Sequence, residues 1–390
     1  MKVKELAKEY KQYVIDIRRA IHRHPEPGTQ EFVTAALIRK ELDDMGIPYE
    51  VKFTTGTVAT IKGNNPGKTI ALRADIDALT LDDRTGCDYA SEVPGMNHAC
   101  GHDTHAAMLL GAAKILNEMK DEINGTVKLF FQPAEEVGVG ARGMIADGCM
   151  EGVDSVFAIH ISSGADTGKV GSGAGGRMAS ADRFIINVTG KGGHGAAPHE
   201  CVDAVYVASK IVVALQEIVS REIGPTVPAV VTCGTINGGA RWNIVANEAV
   251  IEGTTRCLSA EVRNQLEEAI GRIAQGIASA YRATAELDYQ RLVAPTVNTT
   301  TSVDICEETV KQLMGNDAFF ESPVTMGGED AGEYFEVAPE GGCLANLGAR
   351  NADKPETLFP HHHPQFNVDE DAFELGSALY AQYAINYLNK

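Results

Sequence analysis

Residues 69–79 read TIALRADIDAL, and this stretch decides the fold. Its first half, 69–73, is a short apolar run of the kind that forms a buried strand. Asp75 and Asp77 follow directly. The same order recurs twice. TVKLFF (126–131) is followed by Pro133 and the acidic pair Glu135 and Glu136, and SVFAI (155–159) ends in His160. Helical patterns lie between these runs, notably over 104–120. Strands alternating with helices predict an α/β domain with a mostly parallel central sheet. In open sheets of this kind, sites form beyond the carboxyl ends of the strands. Three strands therefore deliver acids and a histidine to one edge.

Outward from this core, Leu6, Tyr10, Tyr13, Val14, Ile17 and Ile21 fall at helical spacing, so the chain opens with an amphipathic helix. Near residue 180 the texture changes. FIINV (184–188), 227–232 and 249–254 read as strands, and 203–221 and 259–282 as long helices. This stretch predicts a compact α+β insertion of about 110 residues, a normal domain size. Beyond about residue 291 the first texture returns, ending in a helix over 369–388. The expected fold class is therefore α/β with two domains. A catalytic domain is built from 1–179 and 291–390, and an α+β domain, 180–290, is inserted into it.

The formal net charge of −19 disfavours nucleic acid and anionic membranes as partners. No apolar run is long enough to span a bilayer, and the N-terminus lacks the apolar core of a signal peptide. Eight scattered cysteines without a CxxC suit a reduced, cytoplasmic chain better than a disulfide framework.

The densest chemistry is HACGHDTH, 98–105. Cys100 and His102 stand two residues apart, just ahead of the helix expected near Thr104. A thiolate and an imidazole so placed can share one metal centre, and zinc accepts sulfur, nitrogen and oxygen ligands together. The alternative, a buried cysteine beside a capping loop, loses ground next to His98, Asp103 and His105. The adjacent Glu135 and Glu136 invite a division of labour. Neighbouring side chains point different ways, so one can bind metal while the other serves as base toward a water.

LRADIDAL (72–79), HACGHDTHAA (98–107), QPAEEVGVGARGMI (132–145), GKGGHGAAPH (190–199) and HHHPQFNVDE (361–370) together resemble the zinc-dependent amidohydrolase and exopeptidase family. The closest branch holds aminoacylases, hippurate hydrolases and hydrolases of indoleacetyl-amino-acid conjugates. The resemblance runs through nearly the whole chain in the family's order. It implies five metal ligands, Cys100, His102, Glu136, His160 and His362, holding two divalent ions. Zinc is the default metal, with manganese, cobalt or nickel as alternatives. It implies Glu135 as general base, and Asp75 and Asp77 as a pair that supports the ligands. It further implies that the insertion is a lid and dimerisation domain. There His194 polarises the scissile carbonyl, and Asn243 and Arg256 hold the substrate end. A guanidinium suits a carboxylate because it binds both oxygens at once.

The expected activity is metal-dependent hydrolysis of the amide bond of N-acyl amino acids by a homodimer. The alternatives are a dipeptidase or carboxypeptidase on the same scaffold, and a non-catalytic metal-binding subunit. Cys100 in place of an acidic ligand favours the aminoacylase branch, and Glu135 beside a full ligand set speaks against the non-catalytic reading. Gly138, Gly140 and Gly143 satisfy GxGxxG, but QPAEE separates them from the strand, so a dinucleotide site is not expected.

Overall fold

The computed structural model describes residues 2–390. The chain divides into two compact units. One comprises Met1–Arg177, Val297–Pro323 and Asp330–Lys390, and the other Met178–Thr296 and Val324–Glu329.

The larger unit is built on an eight-stranded sheet. Its four central strands, in spatial order Asn124–Gln132, Asn65–Asp75, Ser155–Asp166 and Gly342–Arg350, are mutually parallel. All four carry a continuous buried stretch, as expected for strands covered on both faces. The His102–Glu118 helix packs against the sheet, flanked by Lys2–Arg23 and Ala372–Leu388. It is buried almost all round, which explains its run of Ala, Leu and Ile. The opening helix buries Val14, Ile17 and Ile21 on one face, together with the polar Arg18 and His22.

Register sets the site. Asp75 pairs with Gln132, and Arg73 pairs with Ala158. The acids after the first strand, the loop after the second and His160 on the third thus share one level.

Two elements beside the polar clusters differ from the sequence reading. The strand read as ending at His160 continues to Asp166, because Gly342–Arg350 pairs with it as far as Asp166. The helix read as starting near Thr104 starts at His102, where Gly101 (φ 90°) closes the loop in a left-handed turn. A Cβ on Gly101 would lie 2.4 Å from the Ile161 side chain. The GxGxxG glycines form a turn into the short Gly140–Ala146 helix. A Cβ on Gly140 would lie 1.7 Å from the Pro133 carbonyl oxygen, so close packing explains that glycine without a nucleotide.

The smaller unit is a four-stranded antiparallel sheet in the order Ala229–Gly238, Glu248–Cys257, Ala181–Thr189 and Thr284–Val293. The helices Ala204–Glu217 and Ala260–Ala280 share its core, which includes Phe184, Ile186, Ile211, Ile251 and Ile270. The first helix, read over 203–221, is α-helical to Glu217 and ends in a π-turn, Ile218–Glu222. Asp203 caps it by accepting from the Val205 and Tyr206 N–H groups.

Candidate functional site

In the larger unit, Cys100, His102, Glu136, His160 and His362 come together. Cys100 Sγ is 3.6 Å from His160 Nε2 and 3.4 Å from His362 Nε2. Glu136 Oε1 is 3.8 Å from His102 Nε2 and 3.7 Å from His362 Nε2. Glu135 Oε2 is 3.9 Å from His102 Nε2. Two donors about 2.1 Å from one tetrahedral ion stand about 3.4 Å apart, so these separations fit donors around a metal. Two sets meet at the thiol, Cys100 with His102 and His160, and Cys100 with Glu136 and His362. His102 Nε2 and Glu136 Oε1 are buried without a hydrogen-bond partner among the described residues. Buried polar atoms are normally satisfied, so these two call for a ligand. The residues present thus fit divalent ions.

Two of the imidazoles are aimed by their other nitrogen. His102 Nδ1 donates to Asp77, whose backbone oxygen is 3.0 Å away and Oδ1 3.1 Å away. His160 Nδ1 donates to the Ile161 carbonyl at 2.6 Å. Both leave Nε2 facing the centre, the arrangement usual for metal-binding histidine. His362 sits at φ 63°, a costly conformation for a side-chain-bearing residue, and its N–H is tied to the Ala99 carbonyl at 2.8 Å. Ala134, just before the glutamate pair, is also left-handed at φ 57°.

Electrostatics reinforce the picture. Burial pushes the Cys100 thiol up, beyond the ordinary thiol range. Burial opposes charge on His102, but Asp75 and Cys100 outweigh it and hold the ring well above the usual imidazole range. A divalent cation would replace those protons, since thiolate and neutral imidazole are the ligating forms.

His105 is near the centre but is engaged elsewhere. Its Nδ1 bonds Asp75 Oδ1 at 2.5 Å, and its Nε2 accepts the Ile161 N–H at 2.7 Å. The other Asp75 oxygen accepts from Arg73 at 2.7 Å, and Arg73 also donates to Asp330 at 2.7 Å and Gln132 at 2.8 Å. This buried network forms the floor under the cluster. Glu31, fully buried, accepts the Ala134 N–H at 2.9 Å and the Thr55 hydroxyl at 2.6 Å, propping the turn that presents Glu135 and Glu136. Neither Glu31 nor Asp330 was picked out from the sequence. Each stands in a loop whose partners are remote in the chain, so no local pattern marks it.

In the smaller unit, His194 and Asn243 are neighbours. His194 pairs with Ile244, and the Gly195 N–H donates to the Asn243 carbonyl at 3.0 Å. His194 is exposed, and its Nδ1 accepts the Ala196 N–H at 3.0 Å. The neutral ring therefore carries its proton on Nε2, as a donor. Asn243 Oδ1 is buried without a hydrogen-bond partner among the described residues. Arg256 is half-buried and bonds the Thr254 hydroxyl and the Thr255 carbonyl. Among the described residues no acid forms a salt bridge with Arg256.

Residues 71–386 match Peptidase family M20/M25/M40. The chain belongs to that family. It is accordingly a hydrolase of amide bonds. Thermostable carboxypeptidase 2 of Saccharolobus solfataricus is 41% identical, over 100% of this chain and 99% of its own. The N-acetyl-L-cysteine deacetylase of Bacillus subtilis is 39% identical, over 92% of this chain and 84% of its own. A solved Bacillus subtilis structure, described as a dinuclear metal binding peptidase of the M20 family, superposes with a TM-score of 0.85. It is 34% identical and covers 98% of this chain and 99% of its own. The M20 match spans segments of both units, including HACGHDTH, QPAEE, GGHG and HHHP.

Proposed function

We propose that this M20 member hydrolyses the amide bond of N-acyl amino acids, with two divalent ions held by Cys100, His102, Glu136, His160 and His362. The observation that supports this most is the cluster itself. Its donors stand 3.4–3.8 Å apart, and two of them are buried without partners. When bound, divalent ions supply Lewis acidity that polarises a carbonyl and lowers the pKa of water to about 7.

The chain's own residues supply the rest. Glu135 accepts a proton from the attacking water and returns one to the leaving nitrogen, which must be protonated to depart. Asp77 and the Ile161 carbonyl keep His102 and His160 in the ligating tautomer. His194 offers Nε2–H to the carbonyl oxygen as negative charge develops there. Arg256, which pairs with no acid among the described residues, binds the free carboxylate of the amino-acid half, with Asn243 beside His194 as a further polar contact.

Zinc is the metal proposed, on the strength of the thiol among the ligands. A homodimer through the smaller unit is proposed as well. Support comes from the outer strand Ala229–Gly238, which ends one side of the sheet, and from Trp242, 91% exposed. The cytoplasm is the proposed compartment, because eight free cysteines suit a reducing environment. No described helix is long and apolar enough to cross a membrane.

Carboxypeptidase action is the alternative, favoured by the relative of that name at 41% identity. One experiment separates the readings. The purified protein is assayed on N-acetyl-methionine, hippurate and unblocked dipeptides, before chelation, after it, and after zinc is restored. Chelator-sensitive turnover of the N-acyl substrates is expected. Turnover of dipeptides alone points to the alternative, and turnover indifferent to chelation contradicts both.

A further inference from the structure

A second polar cluster lies in the core beside the ligand loop. Asp103 is fully buried, and its Oδ2 accepts both His22 Nδ1 at 2.7 Å and Arg18 Nε at 2.8 Å. Its other oxygen, Oδ1, has no hydrogen-bond partner among the described residues, and neither has Asn97 Oδ1. His98 is 1% exposed, and both of its ring nitrogens lack a partner among the described residues. Four buried polar atoms on three nearby residues are thus left without protein bonds, whereas such atoms are otherwise rare in a protein interior. The His22 and His98 rings are 6.1 Å apart between centroids, tilted by 36°.

We propose that Asn97, His98 and Asp103 line a buried hydration site. In it, ordered water bonds the His98 nitrogens and Asp103 Oδ1, and so joins the first helix to the loop that presents Cys100 and His102. A neutral imidazole has one donor and one acceptor nitrogen. Water can satisfy both, and a metal cation only one. The two ring nitrogens point apart, so each takes its own water, and Asp103 Oδ1 and Asn97 Oδ1 are acceptors for such waters. The link to the first helix is direct, since Asp103 is bonded to Arg18 and His22. The link to the loop runs through the backbone. The His98 carbonyl accepts the Gly101 N–H at 3.1 Å, and Asn97 exchanges two backbone bonds of 3.0 Å with Leu79. His98 is therefore a positioning residue, one turn removed from the thiol. This positioning role rests on the metal-site reading, and the hydration site itself does not.

A high-resolution crystal structure of the wild-type protein, with and without prior chelation, tests the hydration directly. Ordered water is expected within hydrogen-bond distance of a His98 nitrogen and of Asp103 Oδ1 in both crystals. Apolar atoms packed against both His98 nitrogens, with no water density there, would overturn the site whatever the metal content. Zinc affinity by chelator competition tests the positioning. His98→Leu should bind zinc at least about tenfold more weakly, the lower end of what supporting groups contribute. His98→Gln, which can both donate and accept, should stay near wild type. Wild-type affinity in His98→Leu overturns the positioning role, and so do equal losses in the two variants. Should His98→Leu fail to fold, a loss in His98→Gln as large as that of a direct ligand variant overturns it as well.

Discussion

One carboxylate, Asp77, serves two neighbours: its Oδ1 lies 3.1 Å from His102 Nδ1, and its Oδ2 accepts the backbone N–H of Glu136 at 3.0 Å. A single side chain thus fixes the ring of one proposed ligand and the backbone of another. Asp77→Asn keeps the shape but replaces one acceptor oxygen by a donor, which conflicts with one of the two N–H groups. Groups of this kind typically contribute 10–100-fold to metal affinity. Chelator competition on Asp77→Asn should show a zinc affinity lower by a factor in that range. An unchanged affinity would mean that Asp77 does not orient the ligands.

The sequence shows the α/β class because the three apolar runs are compact and each is followed by polar residues. It does not show the fourth central strand, Gly342–Arg350. GCLANLGAR has no β-branched residue and no alternation, so neither strand signal is present. Between two neighbouring strands and covered on both faces, small residues pack there without penalty to the sheet. The polar clusters were legible where they are local, as in 98–105 and 135–136. Glu31 is 103 residues from the Ala134 N–H that it accepts, and Arg73 is 257 residues from Asp330. Only the folded chain brings such partners together. GxGxxG shows the reverse, a local pattern in which Gly140 answers to packing against Pro133 and Gly143 to packing against Phe53.

Arg256 should act on substrate binding. Losing a hydrogen bond to a charged group costs about 1.5–3 kcal/mol, so Arg256→Met should raise KM for N-acetyl-methionine by roughly 10–100-fold. The change in kcat should be smaller. With N-acetyl-methionine amide, which has no carboxylate, the variant and the wild type should perform alike. An equal defect on both substrates would remove the carboxylate from the role of Arg256.

His194 should act on the transition state. Removing one donor to a developing oxyanion typically costs about 10²–10³ in kcat. His194→Ala is expected to lose turnover on that order while elemental analysis finds wild-type metal content. Loss of metal in the same variant would make His194 part of the metal centre instead.

Acid stability offers a test away from the site. Lys11, then Lys354, bond the Asp371 carboxylate and hold its pKa down at about 2. A depressed folded-state pKa gives stability that is present above the unfolded value near 3.9 and is lost as pH falls through the folded one. The side chain is 54% exposed, so solvent screening keeps the contribution under about 1 kcal/mol. Asp371→Asn should therefore melt slightly below wild type at pH 7. The gap should close between about pH 4 and pH 2. A gap that persists at pH 2 would show that the two lysines are not its source.

The central claim is that Glu135 moves the proton while Glu136 holds metal, although the two are adjacent in the chain. The decisive measurement is kcat together with metal content per chain for Glu135→Gln and Glu136→Gln. Glutamine keeps the shape of Glu135 but takes no proton, and general acid–base groups contribute about 10²–10⁴-fold. Glu135→Gln should lose kcat by at least that order with both ions retained, and Glu136→Gln should lose metal as well as activity. Near-normal turnover in a fully metal-loaded Glu135→Gln would contradict the account.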